Sequence, residues 1–165
     1  MTRMALRRSR EMKPLSSEHH HALLVAFQLK KGLAGHGDSA GAPRDLAGLL
    51  ALARRFQDAT LATHMRAEED LLAPHLAPLD AERLRGEHRQ LATLLEAARK
   101  THAQDARQAL ASFADVLERH VRWEERELFP ACEAALDRDA LASIGHELER
   151  RLVLSRNEAR PPRRA

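Results

Sequence analysis

The sequence predicts an all-α fold, an up-down-up-down four-helix bundle with a short extra C-terminal helix. Three observations carry that expectation. Alanine, leucine, arginine and glutamate, all strong helix formers, dominate the 165 residues. Aromatic residues make up only 3% and β-branched ones are scarce, which leaves little material for a sheet. Apolar residues recur at helical spacing through long stretches separated by loop and capping signals. At this length the chain is one domain with a sizeable core.

Helix A is expected over about 16–34, with Ser16 or Ser17 as its cap. The segment from Gly32 to Pro43, with four glycines and a proline, reads as a long loop. Helix B follows over about 44–73 and is ended or kinked by Pro74. Helix C covers about 81–102, with Asp80 as N-cap and Leu79 stapled to Leu84. Helix D covers about 105–129 and meets Pro130. A shorter helix E over about 138–155 takes Asp137 as N-cap, with Leu136 against Leu141.

Helices B and D carry a repeated skeleton. His64-Met65-Arg66-Ala67-Glu68-Glu69-Asp70-Leu71-Leu72-Ala73-Pro74 and His120-Val121-Arg122-Trp123-Glu124-Glu125-Arg126-Glu127-Leu128-Phe129-Pro130 both read His-x-Arg-x-Glu-Glu-x-x-Leu-x-Pro. Positions i and i+4 share a helical face, so His64 with Glu68 and His120 with Glu124 each form an imidazole–carboxylate pair. A single His-x-x-x-Glu is weak evidence, because helical surfaces carry such pairs by chance; two copies sharing six positions are far more specific. Helical-wheel angles place Thr60, Leu61, Ala67 and Leu71 beside His64, and Phe113, Val116, Trp123 and Glu127 beside His120. Arg66, Arg122, Glu69 and Glu125 are expected to point away, onto a solvated face.

Two further histidines complete a set. His88 is followed by Leu91, Ala92 and Leu95 at +3, +4 and +7, and His20 by Leu23, Leu24 and Phe27 at the same spacing. His20 is therefore selected from three consecutive histidines, with His19 the nearest alternative. The first half of the chain offers His20, His64 and Glu68; the second offers His88, His120 and Glu124. Two such halves facing each other suit a site for two metal ions. Four imidazoles and two carboxylates in an apolar interior are costly unless paired or coordinated, and mixed ligands of this kind suit iron, manganese or zinc. His–Glu pairs without metal are the bland alternative. The ferritin-like bundle uses Glu-x-x-His, with order and spacing different from those here.

With these motifs the chain resembles the hemerythrin-like (HHE cation-binding) family over about residues 15–150. The resemblance implies a four-helix bundle holding two iron ions in a non-haem di-iron centre with an oxo or hydroxo bridge. It makes His20, His64, His88 and His120 terminal ligands, with Glu68 and Glu124 bridging. Zinc or manganese is the alternative metal. Oxygen-carrying members place a second histidine four residues after the third-helix ligand, where this chain has Ala92. They also space the last carboxylate one residue further from its histidine than Glu124 stands from His120. The missing imidazole leaves more room for small ligands, and Glu127, read as inward-facing, favours proton-coupled chemistry over reversible carriage.

The function expected is a di-iron protein that reacts with or senses O2, peroxide or nitric oxide, with oxidase- or peroxidase-like redox activity left open. The alternative is an iron-storing or iron-responsive binding module without catalysis, and a third class is a helical interaction protein holding zinc or nothing. Its partners are a small diatomic ligand or peroxide, and a homodimer is allowed for.

Charge is unevenly spread. Residues 1–14 and 150–165 together hold nine net positive charges of an overall +3, leaving about six net negative on 15–149. Residues 1–14 and 151–165 are expected to be basic, flexible ends; no aromatic residues interleave with their arginines, so no nucleic-acid binding is expected. No stretch reaches the ~18 apolar residues of a membrane span, and no signal peptide is apparent. One cysteine, Cys132, excludes an internal disulfide and reads as a small buried side chain, in keeping with a cytoplasmic location. Trp123 reads as core filler. His36, His75, His102 and His146 read as loop, bundle-end, helix-terminal and surface residues.

Overall fold

The computed structural model describes residues 9–37, 41–43 and 45–158, with side chains described as far as Val153. Within them the chain is all-helical: α1 (Lys13–Leu33), α2 (Leu46–Phe56), α3 (Ala62–Leu71), α4 (Pro78–Lys100), α5 (Ala103–Trp123), α6 (Phe129–Ala135) and α7 (Arg138–Glu158). Two π-helical turns, Gln57–Leu61 and Glu124–Leu128, join α2 to α3 and α5 to α6 without a break in helical backbone. The bundle therefore has four rods: α1, α2–α3, α4 and α5–α6. Its most extensive contacts are α4 with α5 and α1 with α5.

Local chemistry sets the ends. Pro14 and Pro78 sit in the first turns of α1 and α4, where a missing N–H costs nothing and the fixed φ suits the helix. The helices consequently start earlier than expected from Ser16 and Asp80. Ser16 lies inside α1 with its hydroxyl buried and without a hydrogen-bond partner. Asp80 lies in the first turn of α4, where a negative charge suits the helix dipole, and Leu79 is exposed instead of stapled. Asp137 does cap α7, its Oδ1 accepting from Ala140 N at 2.8 Å. Asp45 caps α2 the same way through Gly48 N at 2.7 Å. α7 is 21 residues long, as long as α1, and runs past the expected end at 155. Pro130 does not end its rod. It has no N–H to return to the carbonyl four residues back; the widened turn Glu124–Leu128 lies just upstream, and the helix resumes as α6.

Two apolar clusters fill the interior. One gathers Val25, Leu29, Leu49, Phe56, Leu91, Leu110, Phe113 and Leu117. The other joins Met12, Leu15, Leu72, Leu84, Trp123, Phe129 and Cys132 to Ile144, Leu148 and Leu152 of α7. Among the described residues the apolar core thus reaches back to Met12, three residues before the expected boundary. Trp123 is core, with the Arg83 guanidinium 4.0 Å from its ring centre, and burial pushes the Cys132 thiol up to about 11. Of the ends expected to be flexible, 1–14 and 151–165, residues 13–14 and 151–158 are helical and Met12 and Leu152 are buried, while 1–8 and 159–165 lie outside the described residues. No helix among the described residues is long and apolar enough to cross a membrane.

Candidate metal centre

Between the two apolar clusters lies a polar layer. Each rod passes through it where its sequence leaves one cluster and enters the other: α1 between Leu15 and Ala22, α3 between Leu61 and Leu72, α4 between Leu84 and Leu91, α5 between Leu117 and Leu128. The buried polar residues are Glu18, His19, His64, Glu68, His88, His120 and Glu124, and Glu68 and Glu124 are 0% exposed.

Two groups of four could each hold a metal ion, with ligand atoms all within 4.8 Å of one another: His19, His64, Glu68 and Glu124, and Glu68, His88, His120 and Glu124. The structure brings together five of the six sequence-selected residues. His20 is the exception: it is exposed, and His19 takes its place. Leu24 and Phe27, which made His20 attractive, are 46% and 47% exposed, whereas Ala22, Val25 and Ala26 face the core. The smaller residues mark the buried face because α1 packs closely against its neighbours.

Every imidazole is held by a carboxylate on its Nδ1. His64 meets Glu18 at 2.9 Å, His88 meets Glu69 at 2.7 Å, His120 meets Glu87 at 2.8 Å and His19 meets Glu125 at 2.7 Å. An ionised carboxylate only accepts, so each Nδ1–H donates and each Nε2 turns toward Glu68 and Glu124. The pattern is cyclic: α1 supplies the carboxylate for α3, α3 for α4, α4 for α5, and the π turn after α5 for α1. Arg66 and Arg122 face outward as expected, but Glu69 and Glu125 do not. They lie on the flanks of their rods, and a flanking glutamate is long enough to reach the next helix. The dipeptides Glu18-His19 and Glu87-His88 were the signal for both His19 and this outer ring.

The inner atoms call for positive charge. His19 Nε2 and His64 Nε2 stand 3.1 Å apart, which two lone pairs tolerate only with a proton or metal between them. Nε2 atoms lie 3.0–3.3 Å from oxygens of Glu68 and Glu124. Those oxygens, and Nε2 of His88 and His120, nevertheless lack an aligned hydrogen bond. Proximity without direction is what donors aimed at a shared ion present. Metal–ligand bonds of about 2.0–2.2 Å would put adjacent ligand atoms roughly 3.0–3.4 Å apart, so the residues fit a metal.

Without metal, protons fill that need. Burial opposes protonation of His120, but Glu124 and Glu87 outweigh it and raise the imidazole to about 10. Burial likewise opposes protonation of His64 and His19; Glu68 and Glu18 raise His64 well above its ordinary value, and Glu124 and Glu125 raise His19. Burial pushes Glu124 toward its neutral form, yet His120 and His19 hold it well below the usual carboxylate range.

A small cavity of about 10 Å3, room for one water-sized guest, abuts the His19–His64 side. Ala22, Phe56, Leu61, Leu117 and Val121 give it apolar walls, and Thr60 and Glu18 complete them. Ala92 is exposed and lines an outer groove with Ala62, Met65 and His88, separate from the cavity beside His19 and His64. Glu127 is exposed too. The π turn Glu124–Leu128 pairs i with i+5, which carries Glu127 off the face that straight helical counting assigns. The same turn delivers Glu125 to His19 and is followed by Phe129, whose ring stacks on His19 at 5.2 Å. His36, His75, His102 and His146 are all exposed.

Fold and site together define a helical-bundle protein with a buried histidine–glutamate centre for metal cations. The chain matches the family model described as the hemerythrin HHE cation binding domain over residues 12–132 and again over 81–151, and it belongs to that family. No curated protein and no solved structure gives a significant match.

Proposed function

We propose that the chain holds two iron ions side by side and uses them to bind or react with O2, peroxide or nitric oxide. His19 and His64 would serve one ion, His88 and His120 the other, with Glu68 and Glu124 shared. The observation that carries this reading is the sharing itself: two complete ligand groups with the same two buried carboxylates in common. When bound, such a pair supplies open coordination positions and electrons to a small ligand. The chain's own residues do the rest. Glu18, Glu69, Glu87 and Glu125 fix the imidazole tautomers, the apolar walls exclude bulk water, and the cavity leaves space only for a small guest. Glu18 is the one carboxylate outside the ligand groups that lines this cavity, and it accepts from His64 Nδ1 at 2.9 Å.

Metal analysis combined with a near-ultraviolet spectrum tests the proposal. The expected result is about two irons per chain and the absorption of a bridged ferric pair, bleached on reduction and changed by nitric oxide. A chain that retains zinc, with no such absorption, would overturn it in favour of a structural metal.

A further inference from the structure

We infer that Thr60 donates a hydrogen bond to the outer atom of a diatomic ligand held in the cavity beside His19 and His64; the inference rests on the proposed function and specifies how its ligand is chosen. Apart from the four residues of the ligand groups, the cavity wall has two polar side chains, Thr60 and Glu18. Glu18 already accepts from His64 Nδ1 at 2.9 Å, and an ionised carboxylate has no hydrogen to give. A threonine hydroxyl does. Thr60, four residues before His64, lines the same cavity as the His64 imidazole. It also lies within the π turn Gln57–Leu61, a distortion that recurs at functional sites.

A guest in so small and apolar a space has few other partners. One end faces the metal ligands and the other meets hydrocarbon, except where Thr60 stands. The site therefore favours diatomic ligands whose outer atom is electron-rich enough to accept a hydrogen bond. The competing role for Thr60 is local: a helical threonine hydroxyl can simply bond the carbonyl four residues back. That role would leave ligand behaviour unchanged on substitution.

The test uses iron-loaded, reduced full-length protein with nitric oxide as the probe, comparing wild type, Thr60→Val and Thr60→Ser. Iron content and melting temperature establish that each variant is intact. Thr60→Val should release nitric oxide about five- to tenfold faster, the size expected of one lost hydrogen bond, and should shift the N–O stretch. Thr60→Ser should restore both. Identical release and stretch in wild type and Thr60→Val would overturn the role of Thr60 while leaving the metal centre standing. Failure of the iron-loaded wild type to bind nitric oxide would overturn the small-ligand reading and this inference with it.

Discussion

Each imidazole of the centre is fixed at both ring nitrogens, by a carboxylate outside and by the shared ligand space inside. Bonds of 2.7–2.9 Å on the outside are short and charge-assisted, so ring orientation is set before a metal arrives. The sharpest consequence concerns α1. His19→Ala should lose about half or more of the bound iron, since it removes a ligand adjoining both shared carboxylates, whereas His20→Ala should keep wild-type iron content. Metal analysis of the two purified variants decides it; the reverse pattern would return the ligand role to His20. The sequence made the choice hard at this scale. Large apolar residues three, four and seven positions on pointed to His20, yet a helix packed closely against two neighbours buries alanine and exposes Leu24 and Phe27. Matching Glu18-His19 to Glu87-His88 would have been the better guide, because it compares chemistry with chemistry.

Elements depart from simple helical counting at the two π turns, and both departures touch the site. Straight periodicity identified the rods and turned His64, Glu68, His88, His120 and Glu124 inward, where the structure buries them, because each lies within or just after a regular stretch. It misplaced Glu127, beyond the first residues of a π turn; of the two roles expected for Pro130, ending or kinking its helix, the first does not hold, because the helix continues as α6 after the widened turn upstream. Caps were legible only where a side chain competes for an open N–H, as Asp137 does, and not where a proline had already started the helix. Docking of α7 against the start of α1 depends on a glycine. A Cβ on Gly145 would lie 2.9 Å from Cα of Glu11, in the turn that leads into α1, too close for α7 and that turn to stay where they are. Gly145→Ala should therefore cost about 1–3 kcal/mol of stability, as overpacking does. Iron content should be unchanged, because neither residue belongs to the centre. Thermal melting of the iron-loaded variant checks this, and an unchanged melting temperature would mean that α7 shifts freely over α1.

At the scale of the whole molecule, a layer of buried charge separates two apolar cores, and its stability depends on what cation occupies it. Removing the metal would leave protons to do the work, so the metal-free protein should melt lower than the loaded one. Its stability should also depend on pH in a definite direction. The folded His120 imidazole is raised to about 10 against an ordinary value of 6.5. Its contribution is complete below pH 6.5 and is lost as pH rises through about 10. Melting temperatures of the chelator-treated protein should fall across that window. A flat or rising profile would mean that the centre does not hold those protons. The duplicated motif made the bundle and its metal layer legible from sequence; the Glu-His dipeptides marked two members of the outer ring, but its pairings join residues on different helices that no spacing along the chain connects.

That ring has a consequence for how the molecule could be divided. Severing the turn at Ala73–His75 would yield two fragments, each keeping one internal pair, Glu18 with His64 or Glu87 with His120. The first fragment would be left with an imidazole, His19, and a carboxylate, Glu69, that both lack their mates; the second would hold the missing counterparts in Glu125 and His88. The fragments are thus complementary and neither is self-sufficient. Fused to two proteins that meet, they would register the encounter as a captured metal ion.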